Sequence, residues 1–219
     1  ISGALKNYQN LGFSDKECVT ESIENIIDSN AKNIRCTFFH DEKKNKFFYV
    51  QSGDGIGLTS DELIRIQKMQ DFKESRQKNG RYGTGYHVMR SVFSENKKKT
   101  IWMSLNEDLI SIEDLEKPYE SEKFSQLVID LKKSICEDRL VKIPSNEISR
   151  SYEKYWELFA IDKYKRGTVL MVEMPEYKFK QVLSLVDNIE PHKNILLALS
   201  REYSEDLKKE KYILNFNNN

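Results

Sequence analysis

The sequence predicts an α+β two-layer sandwich: a mixed, mainly antiparallel sheet with helices on one face. Three observations lead there. Segments of helical period alternate with short β-branched and aromatic runs along the whole chain. The strand-like runs pair as hairpins more often than they flank a crossover helix. The first strong helix carries a polar stripe beside its apolar one, and a glycine-rich segment follows downstream at 80–86.

Each element has its own warrant. Residues 2–12 (SGALKNYQNLG) have weak helical character and end at a glycine, as an N-terminal arm or first helix would. Residues 15–31 predict a helix in which Val19, Ile23, Ile26 and Ile27 form a buried stripe. Residues 33–55 predict a hairpin of two aromatic and β-branched strands around a charged turn at 41–46. Thr59, Ser60, Asp61 and Glu62 supply the capping residues for a helix of about ten residues. The polar run 71–79 has no apolar period and reads as a mobile loop.

A helix is expected over 86–94 and a strand over 97–106, entered from a basic turn. The stretch 107–123 is acidic and loop-like, and 124–135 fits a strand or a helix. Residues 146–160 predict a helix with Tyr152, Trp156 and Phe159 on its apolar side. A strand follows over 166–174, then helices through 177–209, then a last strand at 211–216. No internal repeat is present, so one domain is expected over 1–219.

The 35 basic and 35 acidic residues cancel, so no global field draws the chain to nucleic acid or to a membrane. Charged residues make up 32% and hydrophobic ones 38%, the balance of a soluble, rather polar globular protein. No apolar run approaches the roughly 20 residues that a membrane span needs. No signal peptide is visible, and a cytoplasmic protein is expected. The chain begins at Ile1 rather than Met, which points to a processed or excised N-terminus and to a piece of a longer protein. Cys18, Cys36 and Cys136 form no CxxC pair and read as free thiols rather than a disulfide or a zinc site.

Four segments carry chemistry. Glu21, Asn25 and Asp28 share one face of the first helix, because positions three and four apart lie one turn apart. A carboxamide oxygen such as that of Asn25 is a hard ligand suited to Mg²⁺. A glutamate one turn earlier can accept a proton from a water attacking a phosphate. Taken alone, polar residues at this spacing on a surface helix are usually only solvated. The second segment is SGDGIGLT (52–59), directly after a strand, where glycines permit close approach of the backbone to a ligand. Asp54 there can accept a hydrogen bond from an exocyclic amine, with an ordinary glycine-rich turn as the bland alternative. The third is GRYGTGY (80–86) at a helix start, where main-chain N–H groups bind anions. The fourth is Arg166-Gly167-Thr168 entering a strand, with a hydroxyl that can meet a base directly or through water. No GxxxxGK[ST] phosphate loop occurs.

The order and spacing of the four resemble the GHKL ATPase superfamily, whose nucleotide site is the Bergerat fold. The branch containing the ninety-kilodalton heat-shock chaperones, the MORC proteins and MutL is the most similar. ESIENIIDSNA resembles the family's ExxxNxxDA helix, with Ser29 where alanine is usual. GIGLT is similar to the second half of the DxGxGMT turn, GRYGTGY to the GxxGxGF phosphate loop, and RGTVLMVEM to the GT-strand. The terminal run LLALSREYSEDLKKEKYILNF resembles the closing helix and edge strand of MutL- and MORC-type domains.

The resemblance implies roles by position. Glu21 would be the general base and Asn25 the Mg²⁺ ligand. Asp28 would shape the pocket. Gly80, Arg81, Tyr82, Gly83, Thr84 and Gly85 would cradle the phosphates of ATP or ADP. Asp54, Gly55, Gly57 and Thr168 would border the adenine, and 59–85 would form a lid.

One departure stands out. The family's adenine-reading aspartate falls at Gly53, and Asp54 is one residue late, which in a strand reverses side-chain direction. Either a bulge turns Asp54 back into the pocket, the favoured reading given the flanking glycines, or adenine is read another way, or nucleotide binding is weak.

The function implied is an ATP-hydrolysing domain acting as an ATP-gated conformational switch, with an ATP-dependent homodimer and a downstream domain or partner protein. In relatives the basic residue that touches the γ-phosphate often comes from such a partner, so this chain is expected to bind ATP better than it hydrolyses it. The alternative is a degenerate nucleotide-binding or protein-interaction module without turnover. A histidine-kinase catalytic domain ranks lower, since His40, His87 and His192 lack a phosphoacceptor context. Nucleic-acid engagement has only Lys97, Lys98 and Lys99 behind it, which read as a solvated turn.

Overall fold

Helix α1 (Asp15–Ile27) leads into a hairpin of β1 (Asn33–Asp41) and β2 (Lys46–Gly53). A short α2 (Ser60–Arg65) follows, then α3 (Gly85–Ser94), β3 (Lys99–Leu105) and α4 (Ile112–Glu116). Next come β4 (Phe124–Asp130), α5 (Leu131–Cys136), α6 (Glu153–Phe159), β5 (Gly167–Met174), α7 (Glu176–Val186) and β6 (Ile213–Asn218). This computed structural model describes residues 10, 12–27, 29–67, 85–137, 142, 152–186 and 213–218. Most of the expected arm at 2–12, the loop at 71–79, the start of the helix expected from 146, and the helices expected beyond 186 lie outside them.

The six strands form one sheet in the order β4-β3-β5-β2-β1-β6. Every neighbouring pair is antiparallel except β1 with β6, which run parallel from Asn33 opposite Ile213. The sheet is thus mixed and mainly antiparallel, as its hairpin-rich sequence requires. The alternation of side chains sorts the core into two layers. Phe47, Tyr49, Leu170 and Val172 face a helix layer made by Cys18, Val19 and Ile23 of α1, Val88, Met89 and Phe93 of α3, and Phe179 and Val182 of α7. Phe48, Val50, Val169, Met171, Ile101 and Met103 face the other way.

That second face departs from the expectation of helices on one face alone. The three longer helices do share one face, but Tyr155, Trp156 and Phe159 of α6 cover part of the other. The reason lies in β2 and β5, which are buried along nearly their whole length on both sides and need cover on both.

Local chemistry explains the other boundaries. The ambiguous stretch 124–135 is both a strand and a helix, because Asp130 ends β4 and accepts from Lys133 N–H as the N-cap of α5. The acidic stretch 107–123 holds the five-residue α4, capped by Ser111. At α2 the capping box forms as the sequence suggests: the Thr59 hydroxyl accepts from Glu62 N–H, and the Glu62 carboxylate accepts from Thr59 N–H at 2.9 Å. These hydrogen bonds from Thr59 hold the Glu62 carboxyl below its ordinary pKa. The helix closes at Arg65, shorter than expected.

Two polar ties lock the layers. Lys178 Nζ sits 2.6 Å from Asp15 Oδ1, and Gln181 Nε2 donates to Asp15 Oδ2 at 2.9 Å, joining α7 to the start of α1. On the opposite face, Tyr155 donates to Asp41 Oδ2 at 2.5 Å, joining α6 to the hairpin. Cys18 and Cys36 are buried free thiols, and burial pushes both up to about 12. Cys136 is exposed.

The Asp15–Lys178 pair is nearly enclosed, with side chains 5% and 12% exposed. Replacing Asp15 by Ala leaves Lys178 buried without its counter-charge. A loss of roughly 3 kcal/mol is expected, as when one member of a buried pair is removed. Urea unfolding followed by circular dichroism should show a lower midpoint at an unchanged slope.

Candidate functional site

Four strands meet the helix layer at one end of the sheet. Gly53, the last residue of β2, lies opposite Ile34 of β1 and Thr168 of β5. Beside them β3 ends with Ser104 opposite Thr168 and Leu105 opposite Gly167. The last turn of α1 lies over this edge, with Ile26 packed against the core. The sheet-end residues expected to border a nucleotide and the helix expected to act on it are therefore together.

Within α1, Glu21 is half-buried and Asn25 is exposed one turn later. The Asn25 carboxamide donates through Nδ2 to the main-chain oxygen of Glu21 at 2.9 Å. That bond turns the nitrogen back along the helix and leaves Oδ1 as the acceptor for an outside ligand. Asp28 lies outside the described residues. Among the described residues no cluster of three or more His, Cys, Asp or Glu side chains could hold a metal. A hard cation such as Mg²⁺, which takes oxygen ligands and keeps several waters, fits the Asn25 carboxamide oxygen.

A buried chain of polar groups pins the helix to the sheet. Ser22 donates to Val19 O at 2.7 Å, accepts from Gln51 Nε2 at 3.1 Å, and meets the Tyr49 hydroxyl at 3.2 Å. Tyr49 in turn donates to Cys36 Sγ at 3.4 Å. Ser22 and Gln51 escaped the sequence reading, although Gln51 is a visible polar interruption on the helix-facing side of β2.

The glycine turn is packed chain against chain. A Cβ on Gly57 would run into the carbonyl of Leu105, and one on Gly55 into Ser29. A Cβ on Gly167 would lie 2.6 Å from Gly53 O. A Cβ on Gly53 would come within 2.5 Å of Ile26 Cγ2 and 3.3 Å of Ala31 Cβ. The regular register of β2 continues to Gly53, so no bulge precedes Asp54. The Asp54 carboxylate faces the start of β1. Its Oδ1 accepts from Lys32 N–H at 2.7 Å and Asn33 N–H at 2.8 Å, and its Oδ2 accepts from Asn33 Nδ2 at 2.5 Å.

Thr168 shares its hydroxyl with Ser104 at 3.0 Å. Ser104 also accepts from Leu58 N–H at 2.7 Å and reaches Gly167 O at 2.9 Å, tying the glycine turn to β5. Ser104 is a further site residue that no motif revealed. It sits among the apolar residues of β3 with only its hydroxyl as a signal.

Gly80, Arg81, Tyr82, Gly83 and Thr84 lie outside the described residues. Gly85 opens α3, which packs along α1. Just inside α3, Tyr86 donates to Gln67 Oε1 at 3.1 Å and accepts from Trp102 Nε1 at 2.9 Å. The fully buried Arg90 donates to Gln67 Oε1 at 2.7 Å, with its guanidinium 4.9 Å from the Tyr86 ring centre. This knot joins the residues that flank 68–84. Beside it, burial and then the Arg90 charge push the pKa of His87 well below its ordinary value.

Residues 13–152 match the family described as histidine kinase-, DNA gyrase B- and HSP90-like ATPase. The chain belongs to that family, and is an ATP-binding module of the ATPase type. The α+β sheet and helix layer are those of its fold. A comparison with curated proteins found no match. Among the described residues no helix is long and apolar enough to cross a membrane.

Gly57→Ala places a methyl group against main chain that cannot swing away. A destabilisation of about 3 kcal/mol or more is expected, read as a drop in thermal midpoint. His87 gives a pH dependence whose sign follows from linkage. Its folded pKa is depressed, so below the unfolded value of about 6.5 the unfolded chain takes up the proton first. Stability should fall as pH drops from about 7 to 5, by up to about 1.4 kcal/mol per pH unit. In His87→Gln this component of the slope should vanish.

Proposed function

We propose that this chain binds Mg·ATP where α1 overlies the ends of β2, β3 and β5, and that it hydrolyses the nucleotide slowly. The observation that carries the reading is the disposition of α1. Glu21 is half-buried and Asn25 exposed on one helix, which lies against α3, and α3 begins at the last glycine of GRYGTGY. A bound Mg²⁺ supplies charge neutralisation at the β- and γ-phosphates.

The residues divide the remaining work. Asn25 offers Oδ1 to the cation. Gly80, Gly83 and Gly85 would cradle the phosphates, the role the family resemblance implies, with the first N–H groups of α3 as anion donors. The Glu21 carboxylate orients a water and takes its proton as the water oxygen attacks the γ-phosphorus, and ADP and inorganic phosphate leave. Thr168, paired with Ser104 at the sheet end, would border the base, and Asp28 would shape the pocket as the resemblance implies. In a longer protein, binding and release would gate a conformational change or the pairing of two copies, the use that the family resemblance suggests. A module that binds without turnover is the second reading, favoured by the absence of a carboxylate at position 53.

Calorimetric titration with ATP, with and without Mg²⁺, separates these readings. The parent should bind in a Mg²⁺-dependent way, and Asn25→Ala should lose about tenfold or more of that dependence. Glu21→Gln should keep its affinity while single-turnover hydrolysis falls about a hundredfold. A parent that binds yet shows no turnover above Glu21→Gln supports the second reading. A parent that binds no nucleotide sinks both.

A further inference from the structure

We propose that Arg90 holds a small oxyanion inside the protein, gripped through two parallel hydrogen bonds where the exit of α2 meets α3. The inference does not rest on the nucleotide site proposed above.

Arg90 lies in the second turn of α3 and is 0% exposed. Its guanidinium is engaged on one side. Nη1 donates to Gln67 Oε1 at 2.7 Å and to the Tyr86 hydroxyl at 3.3 Å. Nε and Nη2 are buried and have no hydrogen-bond partner among the described residues. The N–H bonds of these two atoms run parallel along one edge of the guanidinium. That edge takes a carboxylate or a phosphate through two bonds at once. The donors without a partner are therefore one complete oxyanion fork.

The neighbouring acceptors are already spent. Gln67 Nε2 donates to Leu63 O at 3.2 Å, which fixes the amide and turns Oε1 towards Arg90. A carboxamide oxygen has two acceptor positions. Here they serve Tyr86 and Arg90 Nη1. The Tyr86 oxygen already accepts from Trp102 Nε1 and from Arg90 Nη1.

Charge points to the same class of ligand. Gln67 and Tyr86 are neutral, and the Tyr86 ring at 4.9 Å offsets only part of a buried cation. Among the described residues no ion pair includes Arg90. Its field reaches the adjoining ring, where after burial it is the second cause that lowers the His87 pKa. A water molecule would satisfy the two donors and leave the charge uncompensated. An anion does both, and a buried charge is stable when it is paired and hydrogen-bonded. Full enclosure restricts the ligand to a compact body such as inorganic phosphate or bicarbonate.

The test titrates the 219-residue chain with inorganic phosphate, and separately with bicarbonate, in chloride buffer at fixed pH and ionic strength. The binding anion should raise the thermal midpoint along a saturating curve. Over the same concentrations the Arg90 Nε–H signal should shift in ¹H–¹⁵N spectra. Arg90→Lys keeps the charge but lacks the fork, so it should weaken binding by about tenfold or more. Either anion acting through Arg90 supports the proposal, and the tighter of the two names the oxyanion. Anions that do no more than chloride overturn it and leave the fork to water. Protection that survives undiminished in Arg90→Lys, or that leaves the Nε–H signal in place, belongs to another site and also overturns it. If Arg90→Lys fails to fold, the Nε–H titration of the parent decides.

Discussion

At the end of the sheet the chain runs against itself with no room for side chains, and the position of α1 depends on that contact. Gly57 lies against the Leu105 carbonyl, Gly167 against the Gly53 oxygen, and Gly55 against Ser29. Between these contacts Asp54 gathers the main-chain donors of Lys32 and Asn33. The turn from α1 into β1 is thereby fastened to the turn leaving β2. Ile56 N–H completes the fastening by donating to Ser29 O at 2.8 Å. Because α1 emerges from this knot, the placement of Glu21 and Asn25 over the sheet edge follows from main-chain packing.

The rest of the helix layer respects the same constraint. Ser22 and Gln51 hold the middle of α1 to β2 through buried hydrogen bonds, and Asp15 holds its start to α7. Buried polar contacts of this kind specify one arrangement, since any slip leaves donors unsatisfied. At the other border of the site, Gln67, Tyr86, Trp102 and Arg90 bind the exit of α2 to the entry of α3. A buried guanidinium is costly to desolvate, and stacking on the Tyr86 ring offsets part of that cost. The stretch between α2 and α3, which carries most of the glycine segment, thus begins and ends at one rigid junction.

This arrangement changes what the glycines mean. In the sequence, the glycines of 52–59 suggest a backbone opened for a ligand. In the structure, Gly53, Gly55 and Gly57 make room for neighbouring chain.

Much was legible beforehand because it depends on local period and local chemistry. The apolar stripe of α1, the aromatic hairpin, the capping box at Thr59 and Glu62, and the order of four motifs are properties of neighbouring residues, and together they place the chain in its ATPase family. Tertiary structure alone decided the rest. That 124–130 takes the strand form turned on its antiparallel pairing with β3. Cover for the second sheet face came from α6, since β2 and β5 needed it. The direction of Asp54 was set by donors more than twenty residues away in the chain, and the crowding at position 53 by a methyl group of Ile26. Side-chain direction and close approach are set by what packs alongside, and a single line of residues does not record which distant segments will lie in contact.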